Sequence, residues 1–152
     1  MASNTSVKNS DGVDIWYIFN SSTKTARVTC RGNHYQAYSN EYSGEVVIPS
    51  TVTYEGVEYS VTSIGSSAFA YCSSLTSITL PEGLTSIVDF AFIGCTALTS
   101  ITLPEGVTEI GDYAFYVCRS LTSITLPESL TEIGYDAFYN CYKLYEVYNK
   151  SD

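Results

Sequence analysis

Five cysteines, one histidine and sixteen carboxylates are the side chains of this 152-residue chain most able to do chemistry. Cys30 and His34 fall together in "CRGNH", a proximity that could serve a thiol–imidazole nucleophile pair. Such a pair needs a third group to orient the imidazole, and nothing in the sequence supplies one, so no catalytic residue is assigned. The other four thiols, Cys72, Cys95, Cys118 and Cys141, recur every 23 residues. A zinc site or a disulfide framework would use clustered spacings such as C-x-x-C, and none is present. Even spacing instead suits a small buried hydrophobe, one per structural unit, with no metal and no cofactor. The carboxylates recur too. Glu82, Glu105 and Glu128 form one column, and Glu109 and Glu132 another. Like charges stacked in this way repel unless they splay into water, and one carboxylate per unit is too few ligands for calcium. The columns read as a solvated edge.

The elements that would hold these columns are written three times over. "LTSITLPEGLTSI" begins at Leu75, "LTSITLPEGVTEI" at Leu98 and "LTSITLPESLTEI" at Leu121. The series Leu75, Leu98, Leu121, Leu144 and the series Phe69, Phe92, Phe115, Phe138 keep the same period of 23. A fixed period in this range marks a solenoid, in which one unit cannot bury its apolar face alone and stacking supplies the core. "LTSITL" alternates apolar and hydroxyl residues as a strand does, and the following Pro ends it because it has no N–H for a ladder. "LTSI" is a second short strand, and the "AFxxC" segment is too short for more than one helical or 3₁₀ turn. The fold class expected is therefore a β-rich solenoid of four coils and a fifth strand, with coils about 4.8 Å apart.

Four segments follow. Residues 1–12 are polar and read as a disordered leader without a signal-peptide core. Residues 13–44 contain "DIWYIFN" and "KTARVTCRG" around "SSTK", a hairpin and loop that would cap the first coil. Residues 45–148 are the solenoid, with a second hairpin signalled by Glu55-Gly56, and 149–152 are a tail. Beyond Cys141, Leu144, Tyr145, Val147 and Tyr148 begin a strand with no cap, an edge expected either to pair with another chain in a homodimer or to belong to a longer repeat array of which this chain is a piece.

The formal net charge is −9, with seven basic residues scattered along the chain. That excludes a phosphate backbone as ligand, since nucleic acid needs a basic patch, and it disfavours an anionic membrane surface. No apolar run approaches the roughly 20 residues of a membrane span. On the outer strands Ser77 and Thr79, with their equivalents, form hydroxyl ladders that ordinary strand propensity accounts for.

The repeats vary mainly between the Ile and the Cys, where the chain reads "GSSAFAYC", "VDFAFIGC", "GDYAFYVC" and "GYDAFYNC". An alphabet of Tyr, Ser, Gly, Asn and Asp on a rigid frame is that of binding surfaces, in which aromatic rings give contact area at low entropy cost. Tyr71, Phe90, Tyr113, Tyr116, Tyr135 and Tyr139, with Asp89, Asp112 and Asp136 among them, are the expected ligand-binding residues.

The unit "LxxIxLPxxLxxIGxxAFxxC" resembles the BspA-like leucine-rich repeats over about residues 45 to 148. The LP step, the Ile-Gly pairs at 64–65, 110–111 and 133–134, the Ala-Phe and the Cys all fall in register, and Ile87-Val88 departs by lacking the Gly. The resemblance implies a right-handed solenoid, secreted or on a cell surface, that adheres to a protein or glycan of a host or neighbouring cell. The expected function is accordingly a non-enzymatic recognition module. The alternative is a structural repeat unit that assembles through its open C-terminal edge.

Overall fold

The computed structural model describes residues 4–32 and 41–150. His34 lies outside the described residues, as does most of the loop after Cys30. Thirteen strands and no helix make up the described chain. The N-terminal strands are β1 (Thr5–Lys8), β2 (Asp14–Asn20) and β3 (Thr25–Thr29), joined antiparallel in chain order. The first coil contains β4 (Gly44–Val47), β5 (Thr51–Tyr54) and β6 (Val57–Ile64), and β5 and β6 form the expected hairpin. Its turn is Glu55-Gly56, both with positive φ, which matches the twist of the flanking strands. The second coil holds β7 (Leu75–Thr79) and β8 (Ser86–Ile87), and the third β9 (Ser100–Thr102) and β10 (Glu109–Ile110). The fourth holds β11 (Ser123–Leu126) and β12 (Glu132–Ile133), and β13 (Glu146–Asn149) follows.

Two faces result. One is a continuous sheet in the order β1-β2-β3-β6-β8-β10-β12, so the N-terminal hairpin extends the solenoid sheet through the parallel pair β3–β6. The other face is divided. β4 pairs with β7, β9 with β11 and β11 with β13, and β7 and β9 are not joined. The hydroxyl rungs of β7 and β9 therefore do not share one hydrogen-bonded sheet. Strand β1 corrects the reading of residues 1–12 as a leader: Thr5 to Lys8 pair with Tyr17 to Asp14, and Asn4 donates to the Cys30 and Gly32 carbonyls.

The core is a set of columns. Phe69, Phe92 and Phe115 are fully buried, with ring centroids 5.1 and 5.2 Å apart, and each contributes about 1.5–3 kcal/mol by leaving water. The thiol column belongs to the same core. Cys95, Cys118 and Cys141 donate S–H to the Phe69, Phe92 and Phe115 carbonyls at 3.1, 3.2 and 3.1 Å, so each thiol satisfies the main chain of the coil before it. All five cysteines are free.

The "AFxxC" segment is not a 3₁₀ turn. Only alternate N–H groups bond three residues back, as Ala68 to Gly65, Ala70 to Ser67 and Cys72 to Phe69. Ser67 and Tyr71 have φ of 57°, and this left-handed backbone interrupts helical propagation. The N–H groups in between are freed to bond the next coil.

Candidate interaction surface

The variable turns stack into one edge. Two positions per coil are left-handed there. Ser67, Phe90, Tyr113 and Asp136 occupy the first, and Tyr71, Gly94, Val117 and Asn140 the second, with φ between 49° and 70°. Ser, Gly, Asn and Asp are what such backbone favours, so much of the polar alphabet of these turns reflects backbone geometry. The large rings do not fit that explanation. Tyr71 is 40 % and Phe90 37 % exposed, and a non-glycine residue in this region costs on the order of 1–2 kcal/mol.

Those rings form a connected ladder. Phe90 stacks on Tyr113 at 5.1 Å, Tyr113 meets Tyr135 and Tyr116 edge-on at 5.6 Å each, and Tyr116 stacks on Tyr139 at 5.2 Å. Five of the six expected rings are thus contiguous, and Tyr135 and Tyr139 are 67 % and 51 % exposed. Tyr71 lies over Gly94, where an added Cβ would fall 2.5 Å from the ring. Gly94 therefore serves both the left-handed turn and the seat of Tyr71.

The aspartates separate from the rings in role. Asp89 Oδ1 accepts the Asp112 N–H at 2.9 Å, and Asp112 Oδ1 accepts the Tyr135 N–H at 2.7 Å. These two carboxylates, expected to meet a ligand, tie each coil to the next. Asp136 stands one position further along, in the column of Phe90 and Tyr113. The Asp bond also explains a glycine. A Cβ at Gly111 or Gly134 would fall 2.4 or 2.5 Å from the Asp of the preceding coil. Val88 follows a coil with Ser66 in place of that Asp, and here the side chain is accommodated.

At the C-terminal end, β13 pairs only with β11 among the described strands. Tyr145, Val147 and Tyr148 are more than half exposed, whereas Leu144 packs partly against the core. Tyr142 and Ile133 are exposed as well, and neither is singled out by the sequence, where Ile133 reads as one more core isoleucine.

Elsewhere, Cys30 is half-buried, and burial together with the Glu41 charge raises its thiol pKa, which opposes a reactive thiolate. The Glu41 carboxylate accepts the Arg31 N–H at 2.9 Å. Among the described residues no group of three His, Cys, Asp or Glu side chains is gathered as a metal site would be.

Comparison with known proteins covers most of the chain. The BspA type leucine rich repeat region matches residues 35–152 in six copies. A leucine-rich repeat protein of Bacteroides capillosus is 29 % identical with a TM-score of 0.75, over 95 % of this chain and 98 % of its own. The T. pallidum leucine rich repeat protein is 28 % identical with a TM-score of 0.72, over 93 % of this chain and 71 % of its own. A leucine-rich repeat protein of Bacteroides ovatus is 32 % identical with a TM-score of 0.61, over 88 % of this chain and 39 % of its own. No protein of curated function matches.

Proposed function

Because the chain belongs to the BspA-type leucine-rich repeat family, a class of repeat-based interaction modules, we propose that it is a non-enzymatic recognition module of a cell surface, gripping a polypeptide partner along its ring ladder. The observation that carries this reading is the placement of Tyr71, Phe90 and Tyr113 in left-handed backbone. Ring stacking returns about 0.5–1.5 kcal/mol per pair, part of the cost of that conformation, and partial exposure withholds the rest. Contact with a partner would recover it. A polypeptide suits the edge better than a glycan. Sugars lie on open ring faces, whereas Phe90 and Tyr113, and likewise Tyr116 and Tyr139, cover each other's faces.

The test is binding to immobilised extracellular-matrix and plasma proteins, with the Tyr113→Ser/Tyr135→Ser variant alongside. Saturable binding that weakens at least tenfold in a variant with unchanged circular dichroism is the expected result. Binding that the folded variant retains in full would remove the ladder as the site.

A further inference from the structure

One column of the variable turns lacks a ring where its stack begins. Its left-handed positions, one per coil, are Ser67, Phe90, Tyr113 and Asp136. The Phe90 and Tyr113 rings lie 5.1 Å apart with their planes 6° from parallel, so they stack in the direction in which the coils follow one another. Each ring of such a stack turns one face toward the coil before it. For Tyr113 that face is covered by Phe90. For Phe90 the preceding place holds Ser67, whose side chain is too short to cover a ring. Among the described residues Phe90 meets no ring but that of Tyr113, and it is exposed.

The space left before Phe90 is closed from the other side by the cap. A cavity of about 490 Å³ lies between Ser66, Ser67 and Phe90 of the turns and Ile18 and Thr29 of β2 and β3. That is within the range of sites that hold organic groups, roughly 300–1,000 Å³. Its apolar surfaces are the Ile18 side chain and the bare face of Phe90.

The rim carries a charge. Residues 1–44 hold four of the seven basic residues and only three of the sixteen acidic ones, so the cap is positive beside an acidic solenoid. Arg27 stands opposite Ile18 in the β2–β3 pair, and its stem crosses Gly65, where an added Cβ would fall 2.8 Å from the Arg27 Cδ. It thus borders the cavity between Ile18 and Ser66. Arg27 is exposed and has no ion-pair partner among the described residues. An unpaired guanidinium is suited to a carboxylate, which it holds through parallel hydrogen bonds.

We infer that this cavity is a specificity pocket for an aromatic side chain of the polypeptide partner, flanked in the partner's own sequence by Asp or Glu. The incoming ring takes the place that Ser67 leaves empty and continues the Phe90–Tyr113 stack, and the flanking carboxylate meets Arg27. Aromatic pairs favour centroids about 4.5–7 Å apart, the spacing this column already has. The inference rests on the ladder being the partner's site, and it fixes where along the ladder the partner is anchored.

The probe is the tripeptide acetyl-Asp-Phe-Asp-amide, titrated into the full chain and followed by amide NMR. Acetyl-Asp-Leu-Asp-amide and acetyl-Lys-Phe-Lys-amide are the controls. Millimolar binding is expected, with shifts at the Ile18, Ser67 and Phe90 amides and none at Tyr139. Each control should bind about tenfold more weakly, having lost the stacking contact or the charge-assisted hydrogen bond. Ser66→Trp, at an exposed rim position, sets an indole in the cavity and should abolish tripeptide binding with circular dichroism unchanged. Arg27→Gln should remove the preference for acidic over basic flanks, and Tyr135→Ser should leave tripeptide binding as it was. The tripeptide reports on the cavity alone, so the ladder is judged separately by the protein-binding test above. A protein partner that Tyr113→Ser/Tyr135→Ser weakens and Ser66→Trp binds in full would keep the ladder and overturn the pocket. No tripeptide binding at millimolar concentration, equal binding of the Phe and Leu tripeptides, or tighter binding of an acidic disaccharide at the same amides would overturn it too.

Discussion

The two ends of the stack are built from the same letters and differ in what covers them. At the start, Tyr42 lies over Phe69 with ring centroids 4.7 Å apart, and its hydroxyl donates to the Thr29 carbonyl and accepts the Trp16 N–H. One buried side chain thus ends the phenylalanine column and fastens the N-terminal hairpin to it. At the other end Phe138, among the described residues, has a ring on one side only and is partly buried. Ile64, Ile87 and Ile110 are at most 1 % exposed, yet Ile133 in the same place is 49 % exposed. Burial in this fold is a property of the neighbouring coil, so a residue's type and repeat position do not set its energetic weight.

The largest effect that tests this contrast comes from deleting the same ring at two heights. Phe92→Ala, with rings on both sides, should cost about 3–5 kcal/mol, the usual range for a fully enclosed Phe. Phe138→Ala should cost less than half as much, because its site already opens to water and can relax. Urea unfolding of both variants measures the two values. Equal losses would mean that the ends are not energetically distinct.

Much of this was legible from the sequence, and the failures share a cause. The period of 23, the inward Leu and Ile columns and the Glu55-Gly56 hairpin follow from side-chain patterning, which a sequence displays directly. The turn conformation does not. Tyr71, Phe90 and Val117 in left-handed backbone carry no propensity signal, because the hydrogen bonds to the next coil impose that conformation. The aspartates were grouped with the rings for the same reason. Asp89 and Asp112 are exposed and read from the sequence as ligand residues, and the N–H groups they accept are visible only in the structure. Their mark was nevertheless present, since Gly111 and Gly134 each stand one coil beyond such an Asp. Strand β1 was missed because an edge strand with one polar face resembles a polar leader.

A middle-sized effect separates the ends by pH. Burial raises the thiol pKa of Cys72 to about 11 and pushes Cys95 well up, and a shared hydrogen bond with Cys141 followed by burial does the same for Cys118. Cys141, at the open end, moves the other way, because the Cys118 S–H stabilises its thiolate. For the three raised thiols the folded chain holds protons that the unfolded chain has released, so stability is full below the ordinary thiol pKa, near 8.5, and declines as pH rises through their folded values. Melting temperature under reducing conditions should fall steadily from pH 8 to pH 10.5. Cys95→Ser, which keeps a donor to the Phe69 carbonyl and does not ionise, should flatten that decline. Cys141→Ser should flatten it less, acting only through the hydrogen bond it shares with Cys118, and a Cys141→Ser variant that flattened it as much as Cys95→Ser would erase the distinction between inner and outer thiols.

The smallest effect asks whether turn strain, unlike burial, is the same at every height. Val117 has φ of 63°, an outlier for a β-branched residue, at a place where the neighbouring coils have Gly94 and Asn140. Glycine adopts this conformation without a Cβ penalty, so Val117→Gly should stabilise by about 1 kcal/mol, net of the greater freedom glycine gives the unfolded chain. Asn140→Gly, at the open end, should change stability by no more than about 0.3 kcal/mol, because Asn already tolerates the left-handed region. Both values come from the same urea experiment. A gain at 117 with none at 140 would place the strain in the side chain, independent of what covers the coil. Equal gains would mean that the backbone itself is held under tension along the whole edge. The rings at Tyr71, Phe90 and Tyr113 would then share a general strain, and their left-handed placement would no longer argue for a partner.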